Sequence, residues 1–274
     1  FSLINFRNHR KIVICDGLTG FTGGVNVSDE QDLRRNANAY HDVHIQVDGP
    51  VIAWLESIFI EDWHYSTGDL SLVRALRKAE RKDIDVERVV TEPGQAYRMQ
   101  VIPSGPDSDF APILRVMLSA MYRARSRIYL TTPYFVPDDA SLFALTSAAL
   151  RGVDVRLLVP RKSDNLVVTL ATQSWYDDLI RAGIRIYEYT PRMLHTKTLV
   201  IDDDLSFIGS ANFDYRSFYL NFEVSVLCYE PKANELLARE FHDSLNSSEE
   251  VVPKKQSFAY RLLTSTARLF SPLL

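Results

Sequence analysis

The apolar positions of the chain follow two periods, one of about 3.6 residues and one of two residues. From residue 98 to residue 194 the two periods alternate: strand-like runs such as "VDVRLLVP" follow helical stretches such as "FAPILRVMLSAMYRARSR". Gly152 and Gly183 stand where the stretches "ASLFALTSAALRG" and "NLVVTLATQSWYDDLIRAG" end, as helix C-caps do. Strands that alternate with helices predict an α/β fold, with a mainly parallel or mixed sheet flanked by helices.

One polar skeleton occurs twice along this pattern, as "HRKIVICDGLTGFTGGVN" from His9 and as "HTKTLVIDDDLSFIGSAN" from His195. In both places a strand with a carboxylate near its start follows, and then a proline at the start of an amphipathic helix. The matching positions are all offset by 186 residues: His9 and His195, Lys11 and Lys197, Asp16 and Asp202, Gly23 and Gly209, Asn26 and Asn212. Such a long repeat predicts two domain-sized copies.

The repeat defines four segments. Residues 1–69 form the first copy, residues 97–248 the second copy and residues 249–274 a basic amphipathic tail, while the mixed charges of residues 70–96 predict a solvated linker helix. Only eight residues precede the histidine of the first copy, whereas about 97 precede that of the second. We therefore expect a first domain that is incomplete at its N-terminus, in a chain that is part of a longer protein. That domain would show an unpaired sheet edge and apolar faces on "KIVIC" and "VIAWLESIFI".

Composition narrows the choice of partner. The chain has 274 residues, of which 46% are hydrophobic and 24% charged, as in an ordinary globular protein. A net charge of −4 argues against a nucleic-acid partner, which usually leaves a basic footprint. Cys15 and Cys228 both lie among strand-like apolar residues, which favours buried free thiols over a disulfide and a reducing compartment. No apolar run reaches the roughly 18 residues of a membrane-spanning helix.

The tail allows two interpretations. From Val251 to Leu274 there is no acidic residue, and apolar residues recur at helical spacing. The basic residues are Lys254, Lys255, Arg261 and Arg268, and the apolar ones include Ala259, Leu263, Ala267, Phe270 and Leu274. This pattern is typical of a basic amphipathic helix on an anionic membrane surface. A terminal helix docked on its own domain explains it equally well.

The repeated motif has a chemistry of its own. An H-x-K sequence in a strand places histidine and lysine on the same face. If the two motifs face each other, two ammonium groups and two amides can bind the non-bridging oxygens of a phosphodiester. One imidazole can attack phosphorus while the other protonates the leaving oxygen. Because lysines neutralise the charge, no metal and no cofactor are expected.

The pattern H-x-K-x4-D-x6-G-(G/S)-x-N, present twice, is the signature of the phospholipase D superfamily. The stretches "TPYFVPDDASLFALTSAALRGVDVRLLVP" and "GSANFDYRSFYLNFEVSVL" further resemble bacterial cardiolipin synthases, and the resemblance runs from about residue 3 to the C-terminus. It implies two pseudo-symmetric phospholipase D-like domains that make cardiolipin from two molecules of phosphatidylglycerol. Glycerol is released through a phosphatidyl-histidine intermediate. The implied location is the bacterial cell membrane, with the catalytic domains on the cytoplasmic side.

The resemblance also assigns roles to the motif residues. His9 is the nucleophile and His195 the general acid and base. Lys11, Lys197, Asn26 and Asn212 hold the phosphate. Asp16 and Asp202 complete the catalytic motif as structural hydrogen-bonding groups. Asp42 and Glu223 orient the imidazoles, with the spacing favouring Glu223 because the first copy has extra residues before Asp42.

The remaining candidates keep two interpretations each. His44 lies near the pocket or is structural, and Tyr134 and Phe135 line a lipid path or pack in the core. His41, His64 and His242 are expected on the surface or on helix faces, and Arg216 is expected to support its loop.

Three function classes stay open at this point. The first is a lipid phosphatidyltransferase, which binds phospholipid and a membrane surface, possesses no nucleic-acid site and has an oligomeric state that the sequence leaves open. The second is a phosphodiesterase that hydrolyses phospholipid or nucleic acid. The third is an inactive scaffold or fragment.

Overall fold

Two sheets of unequal size carry the two copies of the repeat. The computed structural model describes residues 6–79, 97–253 and 257–269. The strands are β1 (Arg7–Asn8), β2 (Ile12–Cys15), β3 (Thr19–Gly23), β4 (His44–Asp48), β5 (Met99–Ser104), β6 (Arg127–Thr131), β7 (Phe135–Val136), β8 (Asp154–Pro160), β9 (Arg185–Tyr189), β10 (Thr198–Ile201), β11 (Leu205–Gly209), β12 (Phe213–Asp214), β13 (Asn221–Cys228) and β14 (Ser248–Glu250). The α-helices are α1 (Val51–Thr67), α2 (Ser71–Ala79), α3 (Pro112–Arg123), α4 (Asp139–Leu150), α5 (Leu166–Gln173), α6 (Tyr176–Arg181), α7 (Tyr215–Tyr219), α8 (Pro231–Leu245) and α9 (Phe258–Leu269).

The larger sheet has nine strands in the order β1-β13-β11-β10-β6-β8-β9-β14, with β5 also paired to β13. The strands β6, β8 and β9 run parallel, as do β1 and β13. The motif hairpin β10–β11 and its neighbours are antiparallel, because so short a turn can join only antiparallel strands. The sheet is therefore mixed.

Side chains alternate between the two faces of this sheet. Leu199 and Ile201 of β10 enter the larger core, together with residues of α3 and α4. Val200, between them, packs on the other face in a core that includes Leu237 and Phe241 of α8. The motif strand is thus covered on both faces, and the residues at its ends are held in place.

The first copy forms a smaller sheet, β2-β3-β4, against which α1 packs. Its register is that of the second copy throughout. The equivalent pairs are Ile12–Thr22 and Thr198–Ile208 in the motif hairpin, and Gly23–His44 and Gly209–Ser225 in the following pairing. The repeat seen in the sequence is therefore a structural repeat.

Two sequence predictions need correction. The single helix expected over residues 165–183 is divided into α5 and α6. The backbone N–H of Trp175 donates to the carbonyl of Thr172, a tighter i→i−3 turn that lets the indole enter the core. Cys15, expected to be buried, is exposed, whereas Cys228 is buried and both thiols are free.

The predicted boundaries correspond to the elements as follows. Helix α2 lies in the predicted linker, whose residues 80–96 lie outside the described residues. Strand β14 pairs with β9, so the first residues of the predicted tail belong to the large sheet. Gly152 and Gly183 both adopt positive φ angles, 91° and 94°, as C-caps require. Among the helices of the described ranges, none has the length and apolar character to cross a bilayer.

Candidate active site

Two backbone contacts join the repeats at the motif histidines. The N–H of His9 donates to the carbonyl of Phe222 at 2.9 Å, where β1 runs parallel to β13. The N–H of His195 donates to the carbonyl of His41 at 2.7 Å. Phe222 and His41 stand at equivalent positions, each one residue before a predicted imidazole-orienting carboxylate. The two contacts are therefore related by a pseudo-two-fold axis, and the site lies between the repeats.

The carboxylates cross over between the repeats. Nδ1 of His195 lies 2.6 Å from Oδ2 of Asp42, and Nδ1 of His9 lies 3.3 Å from Oε1 of Glu223. Both carboxylates are almost fully buried. A carboxylate at Nδ1 favours a proton on that nitrogen and leaves Nε2 free to face a substrate. Each repeat thus orients the histidine of the other.

The spacing argument that favoured Glu223 over Asp42 is not reflected in the distances, because the Asp42 contact is the shorter. The extra residues before Asp42 contain a 3-10 helix, Asp29–Gln31, and a turn that leave the register of β4 unchanged. An insertion confined to such a loop does not move the strand that follows it.

The motif lysines lie beside the histidines. Nζ of Lys11 donates to the carbonyl of His9 at 2.7 Å, and Nζ of Lys197 donates to the carbonyl of His195 at 2.5 Å. Burial lowers the pKa of Lys11, against the opposing effect of Glu223 and Asp42. Burial lowers the pKa of Lys197 further, to about 7. An anion placed here would favour both ammonium forms, because it supplies the missing negative charge.

The two imidazoles have different surroundings. The side chain of His195 is 12% exposed and that of His9 is 32% exposed. Burial, followed by the charge of Lys197, lowers the pKa of His195, while Asp42 opposes the shift. The free site therefore favours the neutral form of His195. The negative charge of a phosphodiester favours its protonated form, which is the form that a general acid needs.

The motif asparagines are anchored through their backbones. The N–H of Asn26 donates to Oε1 of Gln31, and the N–H of Asn212 donates to Oγ of Ser217 at 3.1 Å. Gln31 and Ser217 each stand five residues after the asparagine. Oδ1 of Asn212 is buried and makes no hydrogen bond within the part of the chain that the structure describes.

Asp214 was missed by the sequence reasoning. It is buried, forms a hydrogen bond with the side chain of Asn212 and accepts the backbone N–H of Ser217 at 2.6 Å, as the N-cap of α7. Burial raises its pKa to about 6. The signal was an aspartate three residues before a serine at the start of a helix, which is an N-cap pattern.

Asp16 and Asp202 lie at the hairpin turns, with φ angles of 55° and 48°. Asp202 accepts the backbone N–H groups that precede β6, at distances between 2.8 and 3.1 Å. The side chain of Asp16 is exposed and makes no hydrogen bond to any residue the structure describes. The structure does not bring these two carboxylates to the imidazoles.

Steric contacts explain why glycine occupies two positions of the motif. A Cβ atom on Gly23 would lie 2.7 Å from the carbonyl oxygen of Val43, and one on Gly209 would lie 2.3 Å from that of Val224. Either contact is too close for a side chain. The next position differs between the repeats: a Cβ on Gly24 would lie 2.1 Å from Asp42, whereas Ser210 donates its hydroxyl to Glu223.

Two amide side chains are further members of the site that the sequence reasoning missed. Nε2 of Gln31 lies 3.1 Å from Nδ1 of His195, and Nδ2 of Asn221 lies 3.1 Å from Nδ1 of His9. Asn221 also donates to Oε1 of Glu223 at 3.1 Å. Asn221 stands two residues before Glu223 on the same strand face, which was a usable signal.

The remaining histidine candidates differ in their surroundings. His41 is partly exposed, with its Nε2 2.7 Å from Glu240 and its ring stacked on Tyr189. His44 accepts the backbone N–H of Val25 at 3.3 Å, and burial lowers its pKa, against the effect of Asp42. His64 and His242 lie on α1 and α8, as expected.

The two aromatic candidates, Tyr134 and Phe135, have different environments. Phe135 is fully buried and stacks on Phe213, which makes it a core residue. Tyr134 donates its hydroxyl to Asp164 at 2.7 Å. It directly precedes β7, which pairs in parallel with β12, the strand that follows Asn212. Tyr134 is therefore near the rim of the site. Arg216 lies in α7, and burial lowers its pKa.

Comparison with known proteins agrees with this geometry. Residues 117–245 match the family described as "Cardiolipin synthase, PLD-like domain". The chain is 40% identical over 276 residues to Cardiolipin synthase 2 of Bacillus cereus, covering 99% of this chain and 52% of the relative. It is 39% identical over 278 residues to the cardiolipin synthase of Geobacillus kaustophilus, covering 99% and 53%. The chain spans about half the length of the curated relatives it matches.

Two solved structures show the same fold. The phosphatidylserine synthase of Haemophilus influenzae has a TM-score of 0.66 at 14% identity and covers 99% of this chain and 72% of its own. The phospholipase D family member Nuc of Salmonella typhimurium has a TM-score of 0.50 at 22% identity and covers 58% of this chain and 100% of its own.

Proposed function

Because the chain belongs to the phospholipase D superfamily, with a phospholipase D-like domain of the cardiolipin synthase type, we propose that it is a phosphatidyltransferase. It makes cardiolipin from two molecules of phosphatidylglycerol and releases glycerol. The observation that carries the proposal is the crossed pairing, in which each histidine is held by the carboxylate of the opposite repeat. Such an arrangement supports one shared site with two imidazoles.

In the first half-reaction, Nε2 of His9 attacks the phosphorus of one phosphatidylglycerol. The bond from phosphorus to the glycerol oxygen breaks, and protonated His195 gives its proton to that oxygen. Phosphatidyl-His9 and free glycerol result. In the second half-reaction, neutral His195 takes a proton from a hydroxyl of the second phosphatidylglycerol. The hydroxyl oxygen attacks phosphorus, the bond to His9 breaks, and cardiolipin leaves.

The charges around the site support this sequence of steps. Lys11, Lys197, Asn26 and Asn212 hold the non-bridging oxygens, whose charge grows as the transition state forms. Because burial lowers the pKa of Lys197 to about 7, that side chain can hold its proton firmly only when an anion is bound. Asp42 and Glu223 keep the proton on Nδ1 of each imidazole. The proposed location is the bacterial cell membrane, with the site on the cytoplasmic side.

Incubation of the purified protein, expressed with the upstream sequence expected for the first domain, with phosphatidylglycerol labelled in its headgroup glycerol and in its acyl chains tests the proposal. Cardiolipin and free labelled glycerol in equal amounts are expected. Phosphatidic acid instead of cardiolipin would mean that water takes the phosphatidyl group and that the protein is a hydrolase. If well-folded protein gave no product, the protein would be an inactive scaffold.

The order of the two histidines has its own test. Rapid quenching in denaturant at neutral to mildly alkaline pH, which spares the acid-labile bond between phosphorus and histidine, followed by mass spectrometry should find the phosphatidyl adduct on His9. An adduct on His195 alone would exchange the two roles without changing the chemistry, whereas an adduct on neither in an active sample would contradict the covalent pathway.

A further inference from the structure

Helix α9 docks on the second repeat through one face. Thr264 and Ala267 are buried, and Ala267 packs with Val136, Val168 and Ala171. The hydroxyl of Tyr260 donates to Gln173 at 2.6 Å. Of the two interpretations of the tail, docking on its own domain therefore describes this face. The predicted positions Phe270 and Leu274 lie outside the described residues.

The opposite face of α9 carries three exposed apolar side chains. Phe258, Leu262 and Leu269 are 82%, 58% and 79% exposed. At about 100° per residue these three side chains fall within a sector of roughly 40°. Thr264 and Ala267 point away from that sector. Docking therefore explains one face of the helix and leaves a second apolar face exposed to solvent.

The charge of the segment is one-sided. Residues 251–274 contain four basic residues and no acidic residue, although the whole chain has a net charge of −4. Arg268 lies 3.5 Å from Asp178 and over the ring of Trp175, so it belongs to the docked side of α9. The other basic residues of the segment give it a positive charge that complements an anionic lipid surface, into which an apolar helix face can insert. A protein partner of ordinary composition would not require this bias.

The docked face of α9, not the exposed one, connects the helix to Tyr134. The cluster that includes Ala267 packs against Tyr134, whose hydroxyl bonds to Asp164. Leu166 and Val167, which follow Asp164 at the start of α5, are exposed as well. The buried face of α9 thus reaches Tyr134, and exposed apolar side chains stand at the start of the neighbouring helix α5.

We propose that the exposed face of α9, together with the first turn of α5, docks on the surface of an anionic phospholipid bilayer and holds the mouth of the site against the headgroups. The advantage for catalysis rests on the proposed function, since only a lipid substrate requires the site to lie at the membrane surface. The docking itself rests on the helix, its charge and its exposed side chains. A second copy of the chain is the competing occupant.

Sedimentation of the chain with vesicles tests the surface. The probes are vesicles of phosphatidylserine mixed with phosphatidylcholine, and vesicles of phosphatidylcholine alone. The test variant is Phe258→Ser, Leu262→Ser and Leu269→Ser together. Its matched control is Phe143→Ser, Leu150→Ser and Leu236→Ser, which removes the same residue types from exposed positions elsewhere. We expect at least a tenfold loss of partitioning onto the anionic vesicles for the test variant, and no loss for the control.

A second measurement follows the helix directly. In a Cys15→Ser background, an environment-sensitive fluorophore on Leu262→Cys should shift to the blue with anionic vesicles but not with phosphatidylcholine vesicles. The same label on Leu236→Cys should not shift in either case. Equal binding by the test variant and wild type, or equal binding to both vesicle types, would overturn the proposal. So would a test variant that changes only the molecular mass in light scattering, because that would identify self-association.

The outcome is separable from that of the proposed function. His195→Ala should bind vesicles like wild type, because the substitution leaves the exposed side chains of α9 unchanged. The α9 variant should keep its activity on short-chain phosphatidylglycerol below its micellar concentration. Vesicle binding without transfer would refute the function alone, and transfer without vesicle binding would refute the docking surface alone.

Discussion

The motif strands of the two repeats, β2 and β10, pair in the same register but have different surroundings. Val13 of β2 is 48% exposed, whereas Leu199 at the equivalent position of β10 is fully buried. Strand β10 lies between β11 and β6 in the large sheet, while β2 has only β3 beside it in the described part of the chain. Register is thus a property of each hairpin, and burial is a property of the neighbours.

The same difference extends to the catalytic groups. His195 and Lys197 lie just before the buried strand β10 and are themselves largely buried. Burial is the main cause of their lowered pKa values. His9 lies at the more open side of the site and has the looser carboxylate contact. A site that is symmetric in residue types is therefore asymmetric in electrostatics. That asymmetry provides a physical basis for two different roles of two equivalent histidines.

The largest expected effect is the loss of activity when either motif histidine is removed. His9→Ala or His195→Ala should each lower kcat by at least about a thousandfold, and the double variant should be no slower, since groups that act as one unit are not additive. Steady-state formation of cardiolipin measures this. His242→Ala, on the exposed surface of α8, is the control and should be fully active. A single histidine variant that kept most of its activity would contradict a shared site.

Exchanging the carboxylates sharpens the comparison. Asp42→Asn and Glu223→Gln should each lower kcat by roughly 10- to 1,000-fold with little change in KM, because the amide no longer favours the proton on Nδ1. The loss should be greater for Asp42→Asn, whose contact is 2.6 Å rather than 3.3 Å. Asp48→Asn, in the small sheet, serves as the control. Equal losses in KM and none in kcat would speak for a binding role.

Core truncation tests the difference in burial. Leu199→Ala should lower the free energy of unfolding by about 3 kcal/mol, as large-to-small changes in a packed core do. Val13→Ala, at the equivalent but half-exposed position, should cost less than about 1 kcal/mol. Urea denaturation followed by circular dichroism measures both. Equal costs would mean that β2 is covered in solution by something beyond the described residues.

The smallest expected effect concerns pH. Burial lowers the pKa of Lys197 to about 7, so the free site should bind a phosphate analogue several-fold more weakly as pH rises from 6 to 8. The unfolded chain keeps this proton up to about pH 10.5, so the group makes the fold more stable as pH rises between these two values. Lys197→Met should remove both dependences, while Lys162→Met, on the surface, should leave them unchanged.

Much of the site could be read from the residues alone. The repeat offset and the H-x-K spacing identified both histidines, both lysines and both asparagines, and the resemblance to the phospholipase D superfamily pointed to Asp42 and Glu223. The glycines at 23 and 209 stand where a Cβ atom would meet the backbone of the next strand. These are local properties: spacing along a strand and the room that a residue occupies depend on few neighbours.

What the tertiary structure decided is which group meets which. No spacing rule predicted that Asp42 would hold His195 and that Glu223 would hold His9, nor that Gln31 and Asn221 would supply amides to the same rings. Those contacts join residues more than 150 positions apart in the sequence. The exposure of Cys15 and the lowered pKa of Lys197 have the same origin. Burial and electrostatic environment are sums over all neighbouring groups, and only the folded arrangement of both repeats determines which groups are neighbours.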